Sequence, residues 1–470
     1  MNNRGMESPG SSVFDLPTQP SASAIHPPPL LPRQISGRDA GNLTQAHDAS
    51  FAVISGGTGG NAICSAFGNA CYILPVSDDG GSSSEIIRVL GGPSVGDIRS
   101  RLVRLIPAAP PASPLEAIRR LLAYRLPARC DAKEARDEWR DIVEGCSSLW
   151  SGIPNDRKEA IRGFLVYFES ELLKRAHKNF DFRNGSIGNY FLAAAQNFFR
   201  SLPSAIFLFS SITNSQATIL PVIVTNHTVT IAAELENGVR LVGQCEISHP
   251  MPQAPTTLGY TLDDPLSPIL GESVAHRQNV MFEQGSKSQY ESLPARIARL
   301  YYINAYGMEI HPSPNPDYLA NLGERDVLIY SCGSLWTSII PCLALRGVAT
   351  RIARSLRAKI LLLNSENDRE TEGYTAVDYI LAIARTLNSS YQMAPYGLGN
   401  ASTTYPVSAF VTHLVYLEGG SVVVDVTHIT ALGVSCMRIE GGQASHSGAP
   451  RFTPTNVQQA VNDILRETDG

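Results

Sequence analysis

Along this chain, short apolar runs end in glycine, serine, asparagine or aspartate, and stretches with helical spacing of hydrophobic positions follow them. The first run is Phe51-Ala52-Val53-Ile54-Ser55, and the pattern predicts a helical stretch and then a second strand over Tyr72 to Ser77. Leu115 to about Asn179 places Leu, Arg, Glu and aromatic residues three and four apart, which predicts a helical insertion or cap. Ile219 to Val224, Thr228 to Leu235 and Val239 to Ser248 alternate as strands do, and Asn237-Gly238 supplies a tight hairpin turn. Strand-then-helix alternation resumes at Arg299 to Ile303, Val327 to Tyr330 and Lys359 to Leu363. Together these units predict an α/β fold with a doubly wound, mostly parallel sheet, a β-hairpin and a helical insertion. In such sheets ligands bind beyond the carboxyl ends of the strands.

The ends of the chain read differently. Residues 1–48 are rich in Pro, Ser, Gln and Gly without hydrophobic period, which predicts a disordered tail. Within it Pro29-Leu30-Leu31-Pro32 fits a P-x-x-P ligand for an SH3-type partner. One domain is expected over 49–445, with the helical insertion at about 107–180 and a Pro-rich surface loop at about 250–293. A C-terminal segment, 446–470, is expected to be helical from about 454.

Composition narrows the function classes. Of 470 residues, 43% are hydrophobic and 17% charged, against about 25% charged in an ordinary domain, which excludes a disordered chain or a coiled coil. A net charge of -5 gives no electrostatic reason to expect nucleic acid or an acidic membrane as partner. The eight cysteines form no C-x-x-C pair, so reduced thiols in a cytoplasmic protein are expected. Val327 to Leu345 carries no charge, but Ser331, Gly333, Ser334, Thr337, Ser338 and Pro341 suit a strand, turn and helix start rather than a membrane span.

The loops after the strands carry the candidate chemistry. Gly56-Gly57-Thr58-Gly59-Gly60 would let backbone N–H groups approach an anion at a helix N-terminus; a tight turn is the plainer alternative. Gly57-x-Gly59-x-x-Ala62 with Asp78 further on also meets the relaxed dinucleotide fingerprint, so an NAD-type oxidoreductase competes. Against it stands Asp78-Asp79-Gly80-Gly81-Ser82-Ser83-Ser84, since one ribose needs one acid. Adjacent carboxylates beside a phosphate loop suit Mg²⁺, or a hydroxyl proton to be accepted. The plainer alternative is a turn with Ser83 or Ser84 as helix cap. In Gly96-Asp97-Ile98-Arg99, Asp97 is expected to cap a helix and Arg99 to be a fixed cation, or else to pair with Asp97. Gly188-Asn189 within Arg183 to Asn189, Cys332-Gly333-Ser334-Leu335, Asn364 and Glu370 to Thr375 repeat the loop-then-helix pattern. There is no G-x-x-x-x-G-K-[ST] loop, G-x-S-x-G elbow or H-E-x-x-H helix. Asp425-Val426-Thr427-His428 has the form of an acid–base pair, but a structural role is the plainer reading.

In order and spacing, these motifs resemble those of the CofD superfamily of 2-phospho-L-lactate transferases and the related YvcK-like proteins, once called gluconeogenesis factors. Asn315-Pro316, Gly333 to Pro341 and Glu370 to Thr375 complete the set, over about Phe51 to Ile439. Ser331-Cys332 stands where the family has Gly-Pro, and Trp336 where it has Tyr. The resemblance implies a Rossmann-like, CofD-like fold. For the CofD branch it implies Mg²⁺-assisted transfer of a phospholactyl group from a guanosine diphosphate conjugate to a deazaflavin hydroxyl, with release of GMP. For the YvcK-like branch it implies a UDP-sugar-binding regulator of carbon metabolism without catalysis.

The first expectation is a transferase acting on a nucleotide-diphosphate-linked substrate. Gly56 to Gly60, Gly80 to Ser83, Gly96-Asp97, Gly188-Asn189, Gly333-Ser334 and Asn364 would bind it. Asp78 and Asp79 would hold Mg²⁺, and Asp78, Asp79 and Arg99 would act in catalysis. The second is the non-catalytic sensor using the same loops. The expected partner is a small nucleotide ligand, with homo-oligomerisation left open.

Overall fold

The computed structural model describes residues 49–469 except 57–58, 176–177, 250–291, 356, 390–403 and 443–447. The tail with its P-x-x-P run and nearly all of the Pro-rich loop therefore lie outside the described residues.

In chain order, β1 (Ser50–Ile54) and β2 (Asn69–Leu74) lead to α1 (Gly81–Leu90) and α2 (Gly96–Arg104). A helical run follows: α3 (Pro114–Ala123), α4 (Ala132–Glu144), α5 (Asn155–Leu173), α6 (Ile187–Phe199) and α7 (Leu202–Thr213). Then come β3 (Thr218–Pro221), β4 (Thr230–Leu235), β5 (Arg240–Val242), α8 (Gln244–Ser248), β6 (Ile297–Ile303), β7 (Glu309–Ile310) and α9 (Pro316–Glu324). After β8 (Val327–Tyr330), a π-helical turn over Leu335–Ile339 runs into α10 (Ile340–Leu343), α11 (Val348–Ala353), β9 (Ala358–Leu362) and α12 (Ala376–Asn388). The chain closes with β10 (His413–Leu417), α13 (Val426–Ala431), β11 (Ser435–Ile439) and α14 (Pro454–Asp469).

Seven strands form one parallel sheet in the order β11-β10-β9-β8-β1-β2-β3. Every residue of β8 and β9 is buried, as is Phe51–Ile54 of β1, because helices cover both faces; this is why these strands read as unbroken apolar runs. The strand order reverses between β1 and β8, so the loops after these two strands flank the topological switch point. The expected doubly wound α/β fold is what the chain forms.

Several local expectations are corrected. Among the described residues between β1 and β2 there is no α-helix, and two 3₁₀ turns, Gly59–Asn61 and Cys64–Ala66, stand where a helix with a macrodipole was expected. The second half of Val239 to Ser248 is the helix α8, not strand. The three expected strands of that region also divide: β3 joins the parallel sheet beside β2, while β4, β5, β6 and β7 make a separate antiparallel sheet. Arg299 to Ile303 therefore belongs to that second sheet and not to the parallel alternation, since it pairs with β4 in the opposite direction. The hairpin turn is as expected, with Gly238 at φ 83° and Leu235 N–H donating to Val239 O. The helical insertion appears as α3, α4 and α5, and α14 covers the expected C-terminal helix. No helix among the described residues is long and apolar enough to cross a membrane.

Candidate functional site

Two groups of residues stand at the carboxyl edge of the parallel sheet. The first follows β2. Its Asp78 accepts from Gly80 N–H at Oδ1 (3.0 Å), with Ser83 Oγ 3.5 Å from Oδ2. The start of α2 presses so closely on this carboxyl that a Cβ on Gly96 would lie 2.5 Å from Asp78 Oδ2 and 2.6 Å from Ser83 Oγ. Burial, then the charge of Asp97 and, more weakly, that of Asp79, pushes the Asp78 carboxyl up to about 8.

Next to the acids, the N-termini of α1, α2 and α6 are stitched together. Arg99 Nε donates to Asn189 Oδ1 (3.1 Å), its guanidinium also donates to Ser186 Oγ, and Asn189 Nδ2 donates to Ser82 Oγ (2.8 Å). Gly188 makes room for this: a Cβ there would sit 2.4 Å from Leu122 O and 2.9 Å from Arg99 Cγ. Arg99 is buried, and desolvation, then Arg125, lowers its pKa. Its partners are thus Asn189 and Ser186, not Asp97. Nor is Asp97 a cap: the N-cap of α2 is Val95, and Asp97 lies buried in the first turn. Likewise Ser83 and Ser84 do not cap α1, whose N-cap is Gly80 without a side-chain bond. Asp79 turns the other way, its Oδ1 accepting Cys245 N–H (2.8 Å) in the first turn of α8.

The second group is the switch point itself. Gly57 and Thr58 lie outside the described residues, but Gly56, Gly59 and Gly60 show what the glycines do. A Cβ on Gly59 would come 2.7 Å from Gly333 Cα, and one on Gly56 2.5 Å from Ser338 Cβ. The glycines bring the β1 loop into contact with the β8 loop. Asn364 fixes the latter from β9, accepting Gly333 N–H (2.9 Å) and donating to Gly333 O (2.7 Å).

Beyond Gly333-Ser334, the amides of the π-helical turn are taken up by a side chain of the chain itself. The buried Glu370 carboxylate takes Trp336 N–H (3.0 Å), Thr337 N–H (3.2 Å), Thr337 Oγ1 (2.7 Å), Ser334 Oγ and, from α8, Ser248 Oγ (2.5 Å). The chain fills this helix N-terminus with its own anion. Burial, then Asp368, holds Glu370 up at about 7. α8 thus spans the two groups, tied to Asp79 at its first turn and to Glu370 at its last residue. Asp425-Val426-Thr427-His428 is capping alone: Asp425 Oδ1 accepts His428 N–H (3.0 Å) at the start of α13.

Sequence reasoning missed Ser186, Ser248 and Arg101 of α2. Serines next to glycine loops carry no distinguishing signal, and Arg101 differs from Arg99 only in the helix face it occupies.

A family model described as 2-phospho-L-lactate transferase CofD matches residues 51–438, a span that contains both groups. The chain belongs to the CofD family. Among similar proteins, the Saccharomyces cerevisiae protein named "Uncharacterized protein YNL011C" is 34% identical over 436 residues, covering 84% of this chain and 96% of the yeast one. A Thermotoga maritima "Putative gluconeogenesis factor" is 22% identical over 343 residues, 72% of this chain and 75% of its own. In fold, the chain is similar to the crystal structure of a UPF0052-family protein from Bacillus halodurans, with a TM-score of 0.57 and 19% identity over 88% of this chain and 99% of that one. The CofD-family match and the gluconeogenesis-factor relatives agree with the sequence resemblance, including its YvcK-like side.

Proposed function

We propose that this CofD-family chain is a transferase acting on a nucleotide-diphosphate-linked substrate, with a 2-phospho-L-lactate-transferase type of chemistry. The observation that carries the reading is the juxtaposition, inside the family-matched span, of the Asp78–Asp79–Asp97 acids with the Arg99–Asn189–Ser82 network beside the switch point. Burial first, then the charges of Asp97 and Asp79, raise the Asp78 pKa, so this carboxyl favours an added cation beside it.

That donor set fits Mg²⁺ of one kind. Among the described residues no three His, Cys, Asp or Glu side chains form a metal cage. Mg²⁺ is commonly bound by one or two carboxylates together with substrate phosphates, so Asp78 or Asp79 would hold it with the diphosphate. When bound, the ion would neutralise charge on the phosphoryl oxygens. An acceptor hydroxyl attacks the distal phosphorus of the diphosphate, the bridging P–O bond breaks, and the nucleoside monophosphate leaves. The acid of the pair that does not hold the ion takes the hydroxyl proton. Arg99, held by Asn189 and Ser186, contributes fixed positive charge.

The experiment is titration of GDP and UDP into the full chain with and without Mg²⁺, followed by incubation with diphosphate-linked conjugates and hydroxyl acceptors. Mg²⁺-dependent binding and release of nucleoside monophosphate are expected. Binding with the conjugate intact after hours would replace the transferase by a sensor, and no binding of either nucleotide would end the nucleotide reading. NAD(P) is expected to leave the melting temperature unchanged.

A further inference from the structure

Beneath the switch point lies a charge that neither group uses. Arg101 is 1% exposed, its guanidinium 4.7 Å over the Tyr72 ring. NH2 donates to Ser55 Oγ (2.7 Å) at the end of β1, and NH1 to Gly60 O (3.3 Å) at the far side of the glycine loop. Burial opposes its charge more strongly than the acidic groups around it, Asp97 of the same helix among them, support it. Among the described residues its Nε has no hydrogen-bond partner. The position of a Cβ on Gly60 would be 2.8 Å from Ser331 Oγ and 2.9 Å from the Arg101 Nη2 that binds Ser55, so these side chains meet directly behind the glycine loop. A guanidinium does not shed its proton in a protein, and burying it without a counter-ion is costly. Folded proteins retain such a charge where something else compensates it.

We propose that Arg101 is a positioning residue whose compensating charge is the ligand's diphosphate: it clamps both ends of the β1 loop and supplies the positive field at the β1–β8 crevice. The inference rests on the nucleotide-diphosphate reading above and adds a source of charge to it. Arg101 does not touch the ligand. It acts through Ser55 and Gly60 and through its field, which is strong in a low-dielectric surrounding.

The test compares the full-length wild type with Arg101→Met, Arg101→Lys and Ser55→Ala, reading melting temperature without ligand and affinity for GDP, UDP, inorganic pyrophosphate and uridine. Arg101→Met is expected to keep or raise the unliganded melting temperature, because an uncompensated buried charge is gone, while weakening GDP or UDP at least tenfold and leaving uridine unchanged. Ser55→Ala, which keeps the charge but removes one end of the clamp, should weaken the diphosphate less than Arg101→Met does; a loss equal to that of Arg101→Met overturns the role of charge. If Arg101→Met does not fold, Arg101→Lys decides: affinity within about threefold of wild type supports the role of charge, and a tenfold loss overturns it. Equal diphosphate affinity in wild type and Arg101→Met overturns this inference alone. Pyrophosphate binding that Arg101→Met abolishes, without GDP or UDP binding by the wild type, ends the nucleotide reading and keeps the anion role. No response of the wild type to any phosphate ends both.

Discussion

Gly59→Ala separates two uses of a glycine, admitting a ligand and admitting another piece of the protein. The added Cβ would lie 2.7 Å from Gly333 Cα, 3.0 Å from Cys332 O and 3.3 Å from Gly333 N. All three are backbone atoms, and Asn364 holds the Gly333 segment by two hydrogen bonds, so no side chain can swing away. The β1 and β8 loops must part by roughly 1 Å to restore ordinary contact. Overpacking of this kind costs about 1–3 kcal/mol, which for a chain this long is a fall of a few degrees in melting temperature. The control is Gly68→Ala, where nothing lies within 4 Å of the new Cβ and the φ is not left-handed. That substitution should be neutral or slightly stabilising, by about 0.4–1 kcal/mol at most, since alanine narrows the unfolded ensemble. Urea unfolding of both variants gives the comparison directly, provided the slopes match. Equal stability of Gly59→Ala and Gly68→Ala would refute the loop-on-loop argument. Loss of nucleotide binding in that case would return Gly59 to a role in ligand approach.

Other expectations follow from the same site. Asp78 has a folded-state pKa of about 8 against an ordinary 3.8, so its protonated form is favoured by the fold. Its stability contribution is complete below pH 3.8 and is lost as pH rises through about 8. Asp78→Asn should therefore gain on the wild type in unliganded melting temperature between pH 5 and 9 while losing Mg²⁺-dependent binding; an unchanged pH profile counts against the buried acid. Mg²⁺ binding to the wild type at pH 7 should release protons, measurable as a buffer-dependent heat. Glu370→Ala leaves two backbone amides and three hydroxyls without their acceptor and should cost about 3–5 kcal/mol by denaturation, and a loss below 1 kcal/mol would show that the π-turn does not depend on the carboxylate. His428→Ala should leave nucleotide binding and turnover as in the wild type, because Asp425 engages its backbone alone; a tenfold loss of turnover would reinstate the acid–base pair.

The linear sequence determined the parallel sheet, because strands covered on both faces must be apolar throughout, and Phe51–Ile54, Val327–Tyr330 and Lys359–Leu362 show that run without alternation. It also determined the family, because the Asp78-Asp79-Gly80-Gly81 and Gly96-Asp97-Ile98-Arg99 motifs are local and collinear. Which strand partners which was not local information: β6 reads as a strand, but only the fold sets β4 beside it in the opposite direction. The duties of the polar residues were decided in three dimensions as well. Asp78 and Asp79 are adjacent in the chain, but one meets Asp97 across the start of α2 and the other caps α8, more than 160 positions away. In the sequence Glu370 is part of a loop that precedes a helix; the fold brings it to the amides of Trp336 and Thr337. Arg99 and Arg101 differ by two positions, a rotation of roughly 200° around the helix. That rotation sends one to Asn189 beside the acids and the other under the glycine loop, because hydrogen-bond partners and burial depend on direction in space.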